Sequence, residues 1–270
     1  MIKLIVTDLD GTLVKDGSAS MPRSLRDTIE ELLDRGVLFT ACTGRSLISA
    51  QRLFGDLKDR IYFIACNGTQ TGRGNELLFS EELDPELLKE LILDIRTVPD
   101  VVPFLTGNGF MYSDTKDEEL VDWLINGYQE DITRVPDIIQ KREGVVKLSV
   151  YDKNLRSGET FRPFREKWKD RVSVVTAGKM WLDVYRAGIN KGTAVRKLQA
   201  SLGILPEETM SFGDQQNDME MLKSAYYSYA VENALPEVKE TARFAAGPCE
   251  EGGATEVMRR LLKEGDAFRG

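Results

Sequence analysis

Between Lys3 and Cys66 the chain alternates short apolar runs with amphipathic stretches, and that alternation leaves few folds open. Lys3–Thr7 is a run of the kind buried on both faces of a sheet. A helix is predicted from about Pro22 to Arg35, with its proline early and Gly36 just past its end. Leu25, Ile29, Leu32 and Leu33 fall on one face of it. Val37–Cys42 reads as a second strand, Leu47–Leu57 as a second helix and Ile61–Cys66 as a third strand. This β-α-β-α-β order predicts an α/β fold, a Rossmann-like doubly wound parallel sheet with helices on both faces.

The pattern then changes. Thr69–Phe79 reads as a hairpin around Gly72-Arg73-Gly74-Asn75. From Leu83 to Asp183 helices mix with hairpin-joined strands, among them Val145–Tyr151, Val172–Thr176 and Met180–Arg186. Pro103 is expected to hold its strand at a sheet edge, since proline donates nothing to a ladder. The doubly wound pattern resumes near Lys191, with strands at Thr209–Phe212 and Tyr227–Val231 and a last helix from Ala254 to Lys263. The chain therefore divides into a core made of residues 1–82 and 184–270 and an inserted α+β domain, residues 83–183. The 270-residue length suits two domains of roughly 150 residues each.

Composition narrows the chemistry. Lys and Arg number 36 against 44 Asp and Glu, a formal charge of −8. So acidic a chain lacks the basic footprint that holds nucleic acid or an anionic membrane. Histidine is absent, which removes His triads, His metal sites and His general bases together. Cys42, Cys66 and Cys249 form no pair with metal-ligand spacing and read as small buried thiols. Met1–Val6 is too short and wrongly flanked to read as a signal peptide, and no run reaches the ~18 apolar residues of a membrane span, so a cytoplasmic protein is expected.

Four polar clusters remain, each at a strand end or a helix start. Asp8-Leu9-Asp10-Gly11-Thr12-Leu13 follows the first strand. Two carboxylates this close repel unless a cation lies between them or one keeps a proton, and a hard divalent ion such as Mg²⁺ resolves that cost. By itself the segment also fits a solvated turn. Thr43-Gly44-Arg45 follows the second strand and offers a hydroxyl and backbone N–H groups to an oxyanion, or a plain helix cap. Asn67-Gly68 after the third strand is a turn or a polar contact for the same crevice. Lys191 lies just before a helix expected from Gly192 to Leu202, and Gly213-Asp214-Gln215-Gln216-Asn217-Asp218 supplies a second carboxylate cluster. In open α/β sheets ligands bind outside the carboxyl ends of the strands, so the clusters converge on one place.

In order and spacing this combination resembles the haloacid dehalogenase-like (HAD) phosphohydrolase superfamily, in its Cof-type, subfamily IIB branch. Asp8–Leu13, Thr43, Lys191 and Gly213–Asp218 match its four motifs, and the resemblance covers nearly the whole chain. It implies a type C2B cap inserted after the third core strand and a Mg²⁺-dependent phosphatase acting on small phosphorylated molecules. It makes Asp8 the nucleophile, Asp10 the general acid and base, and Thr43 and Lys191 the phosphoryl ligands. Asp8, the Asp10 backbone carbonyl and Asp214 then hold the metal, with Asp218 orienting that shell. Thr12, Gly44, Arg45, Asn67 and Asn217 become substrate contacts. Asp183, Phe110, Tyr112, Lys179 and Trp181 are candidates for choosing the leaving group. The rival readings are a phosphomutase or phosphotransferase of the same fold, and a receiver in which a phosphorylated Asp persists as a switch.

Overall fold

The computed structural model describes Met1–Gly270, with the side chains of Ala177 and Asp266 outside the description. The chain forms two compact units, Met1–Leu78 with Asn190–Gly270, and Phe79–Ile189. These divisions fall a few residues before and after the crossings expected near 82 and 184.

The first unit opens with β1 (Leu4–Thr7), α1 (Arg23–Asp34), β2 (Leu38–Cys42), α2 (Leu47–Phe54), β3 (Tyr62–Ala65), β4 (Gln70–Arg73) and the start of β5 (Glu76–Ser80), whose last two residues belong to the second unit. The second unit holds α3 (Pro85–Ile95), β6 (Val101–Gly107), β7 (Phe110–Ser113), α4 (Glu118–Gly127) and β8 (Ile132–Arg134). It continues through β9 (Val145–Asp152), α5 (Ser157–Thr160), α6 (Arg162–Trp168), β10 (Val172–Ala177) and β11 (Trp181–Arg186). The first unit then resumes with α7 (Lys191–Leu202), β12 (Thr209–Gly213), α8 (Met219–Leu222), β13 (Tyr227–Ala230), α9 (Pro236–Thr241), β14 (Phe244–Ala245) and α10 (Gly253–Glu264).

The sheet of the first unit runs β14-β13-β12-β1-β2-β3-β4-β5. It is parallel from β14 through β3, and β4 turns back antiparallel on β3. Side chains alternate across it. Ile5, Phe39 and Phe63 pack with Leu25 and Ile29 of α1, Leu53 of α2 and Met258 of α10. Leu4, Val6, Cys42 and Ile64 pack with Val195 and Leu198 of α7 and Met221 of α8. The chain moves outward from β1 to β3 on one side and from β12 to β14 on the other. The strand order therefore reverses between β1 and β12, and the carboxyl ends of those two strands flank the crevice such a reversal opens.

In the second unit the sheet order is β10-β11-β9-β6-β7-β8. Its core joins Leu88, Leu91 and Ile92 of α3 and Phe164 and Trp168 of α6 to Leu105, Leu148, Val150, Leu182 and Val184 of the sheet. The strand carrying Pro103 is interior, against expectation. The ladder of β6 to β7 covers Leu105–Gly107, so Pro103 lies beyond it, and its carbonyl accepts from Ser113 Oγ at 2.8 Å. Its missing N–H therefore costs little there. The three-residue β8, paired parallel with β7, was not anticipated; it is too short to show a period of two. Among the described residues no helix is long and apolar enough to cross a membrane.

Candidate active site

The site begins where β1 ends. Asp8 N–H donates to Phe212 O of β12 at 3.0 Å, which seats this residue at the strand reversal, and its side chain is buried. The chain then coils tightly: the N–H groups of Leu13 and Val14 both reach Leu9 O, at 2.9 and 3.0 Å. Gly11 makes the coil possible. Its φ is +85°, and a Cβ there would lie 2.6 Å from Asp214 Oδ2. The coil delivers Thr12, whose hydroxyl donates to Asp214 Oδ1 at 2.7 Å.

The coil also separates the two N-terminal carboxylates. Asp8 faces Lys191, whose Nζ lies 2.5 Å from Asp8 Oδ1 and 2.6 Å from Asp218 Oδ1. The Asp10 carboxylate turns to Arg45, accepting from Nε at 2.7 Å and Nη2 at 2.5 Å, and from Gly17 N–H at 3.1 Å. Arg45 was expected to touch substrate. Here its buried guanidinium makes a two-pronged pair with Asp10 and also donates to Ser18 O.

Lys191 is placed by a helix cap. Asn190 Oδ1 accepts from Thr193 N–H, and Thr193 Oγ1 accepts from Asn190 N–H, each at 2.9 Å, so α7 starts with Lys191 as its first residue. Past β12, the buried Asp218 carboxylate folds its own loop: Oδ2 accepts from the N–H groups of Asp214 and Gln215, both at 3.0 Å. Gln215 Nε2 in turn donates to Asp214 Oδ2 at 2.8 Å.

Thr43 and Arg45 form a short cradle after β2. Arg45 N–H donates to Thr43 Oγ1 at 3.1 Å, which leaves the threonine's own O–H to donate to another acceptor. Ser46 takes the capping role, accepting from Ser49 N–H at 3.2 Å to start α2. Behind the cradle Cys66 and Asn67 have φ of +49° and +58°, conformations costing on the order of 1–3 kcal/mol each in non-glycine residues. Asn67 Oδ1 accepts from Asn217 Nδ2 at 2.9 Å.

Asp8, Asp214 and Asp218 offer ligand oxygens that all lie within 4.8 Å of one another. Three carboxylates against one ammonium leave two negative charges uncompensated in a buried place. Burial, aided by Asp218 and Asp214 and opposed by Lys191, pushes the Asp8 carboxyl well above its ordinary range. Burial and Asp218 push Asp214 up as well. Burial works against the Lys191 ammonium, but Asp218 and Asp8 outweigh it and hold the charge. A hard divalent cation taking oxygen ligands fits this donor set and removes the excess charge.

Two neighbours escaped the sequence reading. Gln215 stands inside the recognised Gly213–Asp218 cluster but was given no role of its own. Asn233, whose Nδ2 donates to Gly11 O at 2.7 Å, was not singled out, although it follows a core strand as the recognised clusters do. Of the residues expected to choose the leaving group, Phe110 and Tyr112 stack at 4.7 Å, and Trp181 packs among Phe104 and Tyr151. Asp183 is buried with Ser149 Oγ at 2.7 Å and Lys147 Nζ at 3.4 Å, while Lys179 is exposed.

Residues 5–258 match the haloacid dehalogenase-like hydrolases. The chain is 25% identical to the 5-amino-6-(5-phospho-D-ribitylamino)uracil phosphatase YbjI of Escherichia coli, over 99% of this chain and 98% of that protein. A crystal structure from Eubacterium rectale is 32% identical, with a TM-score of 0.86 across 97% of this chain and 99% of that one. A HAD/COF-like hydrolase structure from Plasmodium vivax is 25% identical, with a TM-score of 0.86 over 97% and 96% of the two chains.

Proposed function

The chain belongs to the haloacid dehalogenase-like hydrolase family, and we propose that it is a Mg²⁺-dependent phosphatase of small phosphomonoesters working through an aspartyl-phosphate on Asp8. One observation carries this reading: segments far apart in sequence bring Asp8, Lys191, Asp214 and Asp218 together where β1 and β12 part. Asp8, the Asp10 backbone carbonyl and Asp214 would hold Mg²⁺, with Asp218 orienting that shell. When bound, the ion neutralises phosphoryl charge and the excess carboxylate charge.

The protein's own steps follow. An Asp8 carboxylate oxygen attacks phosphorus, forming one P–O bond as the bond to the leaving oxygen breaks. Asp10 turns from Arg45, takes up a proton from solvent as substrate binds, and gives that proton to the leaving oxygen, so the alcohol departs neutral. The Asp10 carboxylate then takes a proton from water while the water oxygen attacks phosphorus. Inorganic phosphate leaves and the Asp8 carboxylate returns. Lys191 and the Thr43 hydroxyl hold phosphoryl oxygens throughout, with backbone N–H groups around Gly44 and Arg45. Positioning and charge neutralisation are most of what phosphoryl transfer requires.

The second unit acts as the cap that selects the leaving group, with sugar phosphates, polyol phosphates or small phosphorylated cofactors as the substrate range. The relative named above for a phosphoribitylamino-uracil supports a phosphorylated polyol within that range. Buried thiols suit a reducing compartment, and we place the protein in the cytoplasm. The test is phosphate release from a panel of phosphomonoesters, with Mg²⁺ and with EDTA, for wild type and Asp8→Asn. Mg²⁺-dependent turnover abolished in the variant supports the reading. No release from any compound, with a stable acyl-phosphate after acetyl phosphate treatment, overturns it in favour of a transferase or a switch.

A further inference from the structure

We propose that the dipeptide Asn67-Gly68 is a brace that sets the mutual positions of Thr43, Lys191 and the Asp214–Asp218 loop, and that Asn67 serves the reaction as a positioning residue. The proposal rests on the phosphatase reading of the same site.

Three consecutive residues past β3 take left-handed conformations, with φ of +49° at Cys66, +58° at Asn67 and +105° at Gly68. A turn of this shape faces its N–H groups back across the sheet end. Cys66 N–H donates to Arg45 O at 2.9 Å and Asn67 N–H to Thr43 O at 3.0 Å. The phosphoryl cradle is thus pinned from behind by both its outer carbonyls. A Cβ on Gly44, between them, would lie 3.4 Å from Asn67 Oδ1.

The same dipeptide reaches the other two segments. Asn67 Oδ1 accepts from Asn217 Nδ2 at 2.9 Å, which ties the cradle to the loop between Asp214 and Asp218. Gly68 lies against Asn190: a Cβ there would come within 2.5 Å of Asn190 O and 3.3 Å of Ala194 Cβ. Asn190 caps α7 and immediately precedes Lys191. One turn therefore touches every segment that supplies a proposed phosphoryl or metal group, apart from β1. Asparagine suits position 67 because it tolerates the left-handed region and carries an amide acceptor. A shift of about 1 Å at such a site can cost roughly a hundredfold in rate.

The test uses steady-state hydrolysis of p-nitrophenyl phosphate with Mg²⁺, and amide hydrogen exchange of the full chain. Asn67→Gly keeps the backbone conformation and deletes the amide; Asn217→Ala deletes its partner; Gly68→Ala pushes on Asn190. Each should lower kcat about 10–100-fold with KM changed less than about threefold. Asn67→Gly combined with Asn217→Ala should fall no further than the worse single change, because one hydrogen bond is lost in all three. Exchange should quicken at residues 43–46 and 190–193 in Asn67→Gly and Gly68→Ala. A raised KM with kcat held makes Asn67 a substrate contact and overturns the brace, as do fully additive losses. Unchanged exchange in those segments overturns it whatever the activity. Wild type without Mg²⁺-dependent turnover that Asp8→Asn abolishes defeats the phosphatase reading, and the exchange data then decide the brace alone.

Discussion

Replacing Lys191 with methionine isolates the charge balance at the centre of the site. The side chain is 1% exposed, and its Nζ contacts Asp8 at 2.5 Å and Asp218 at 2.6 Å, with those carboxylate side chains 8% and 0% exposed. Methionine fills similar volume, so packing is largely retained and the lost quantity is the ammonium. Removing one partner of a buried ionic cluster typically costs 3–5 kcal/mol, because the remaining charge stays buried and unpaired. Here three carboxylates are left together. In EDTA, Lys191→Met should therefore be less stable by about 3–5 kcal/mol, a drop of roughly 1–1.7 M in urea midpoint at ~3 kcal/mol/M. Mg²⁺ should recover part of this, about 2.7 kcal/mol at a hundredfold excess over its dissociation constant, and more than it adds to wild type. Far-UV circular dichroism sees both units. Trp123, Trp168 and Trp181 all lie in the second, so tryptophan fluorescence shows whether that unit follows. A variant with the wild-type midpoint in EDTA would refute the claim that Lys191 offsets the buried carboxylates.

Two further predictions concern groups outside the proposed chemistry and at its margin. In the second unit, Trp168 Nε1 donates to Asp94 Oδ2 at 2.6 Å and Lys167 Nζ reaches Oδ1 at 2.7 Å. Burial pushes the Asp94 carboxyl up, but these hydrogen bonds outweigh it and hold the group below its usual range. Its contribution is therefore complete above the unfolded value of about 4 and fades as pH falls through the lower folded value. Trp168→Phe should cost about 1–3 kcal/mol at pH 7, with the gap to wild type narrowing below pH 4; a gap independent of pH would count against the hydrogen bond as its source. The thiols offer a direct titration. Burial, with Asp214 and Asp8 nearby, pushes Cys249 up to about 11, and burial raises fully enclosed Cys42 as well. The raised values favour the neutral, unreactive thiol. Native protein at pH 8 should thus react slowly with a disulfide reagent at these positions, Cys249 should speed up as pH approaches 11, and urea should release all three cysteines.

Several structural features were legible residue by residue. The period of Leu25, Ile29 and Leu32 places one face of α1 in the core, and all three are fully buried against the sheet. The polar clusters after β1, β2, β3 and β12 stand out because each interrupts an apolar run at a strand end. Their convergence follows from the doubly wound order rather than from any one of them. Pro103 misled because its effect depends on where β7 stops, and β8 is too short to show a pattern. Gln215 and Asn233 were missed because a lone amide in a loop looks the same whether it faces water or a buried carboxylate or carbonyl.

The sequence by itself determined the alternation of elements, the parallel sheet and which segments carry oxygen ligands, because these depend on patterns a few residues long. The tertiary structure decided how the charges are shared. Asp8 and Asp10 are two residues apart, yet one meets Lys191 and the other Arg45, partners 183 and 35 residues distant along the chain. Local preference is nearly the same for both carboxylates. The coil at Gly11 turns them apart, and the groups brought to each side by α7 and the cradle after β2 then set their environments, which no short-range pattern records.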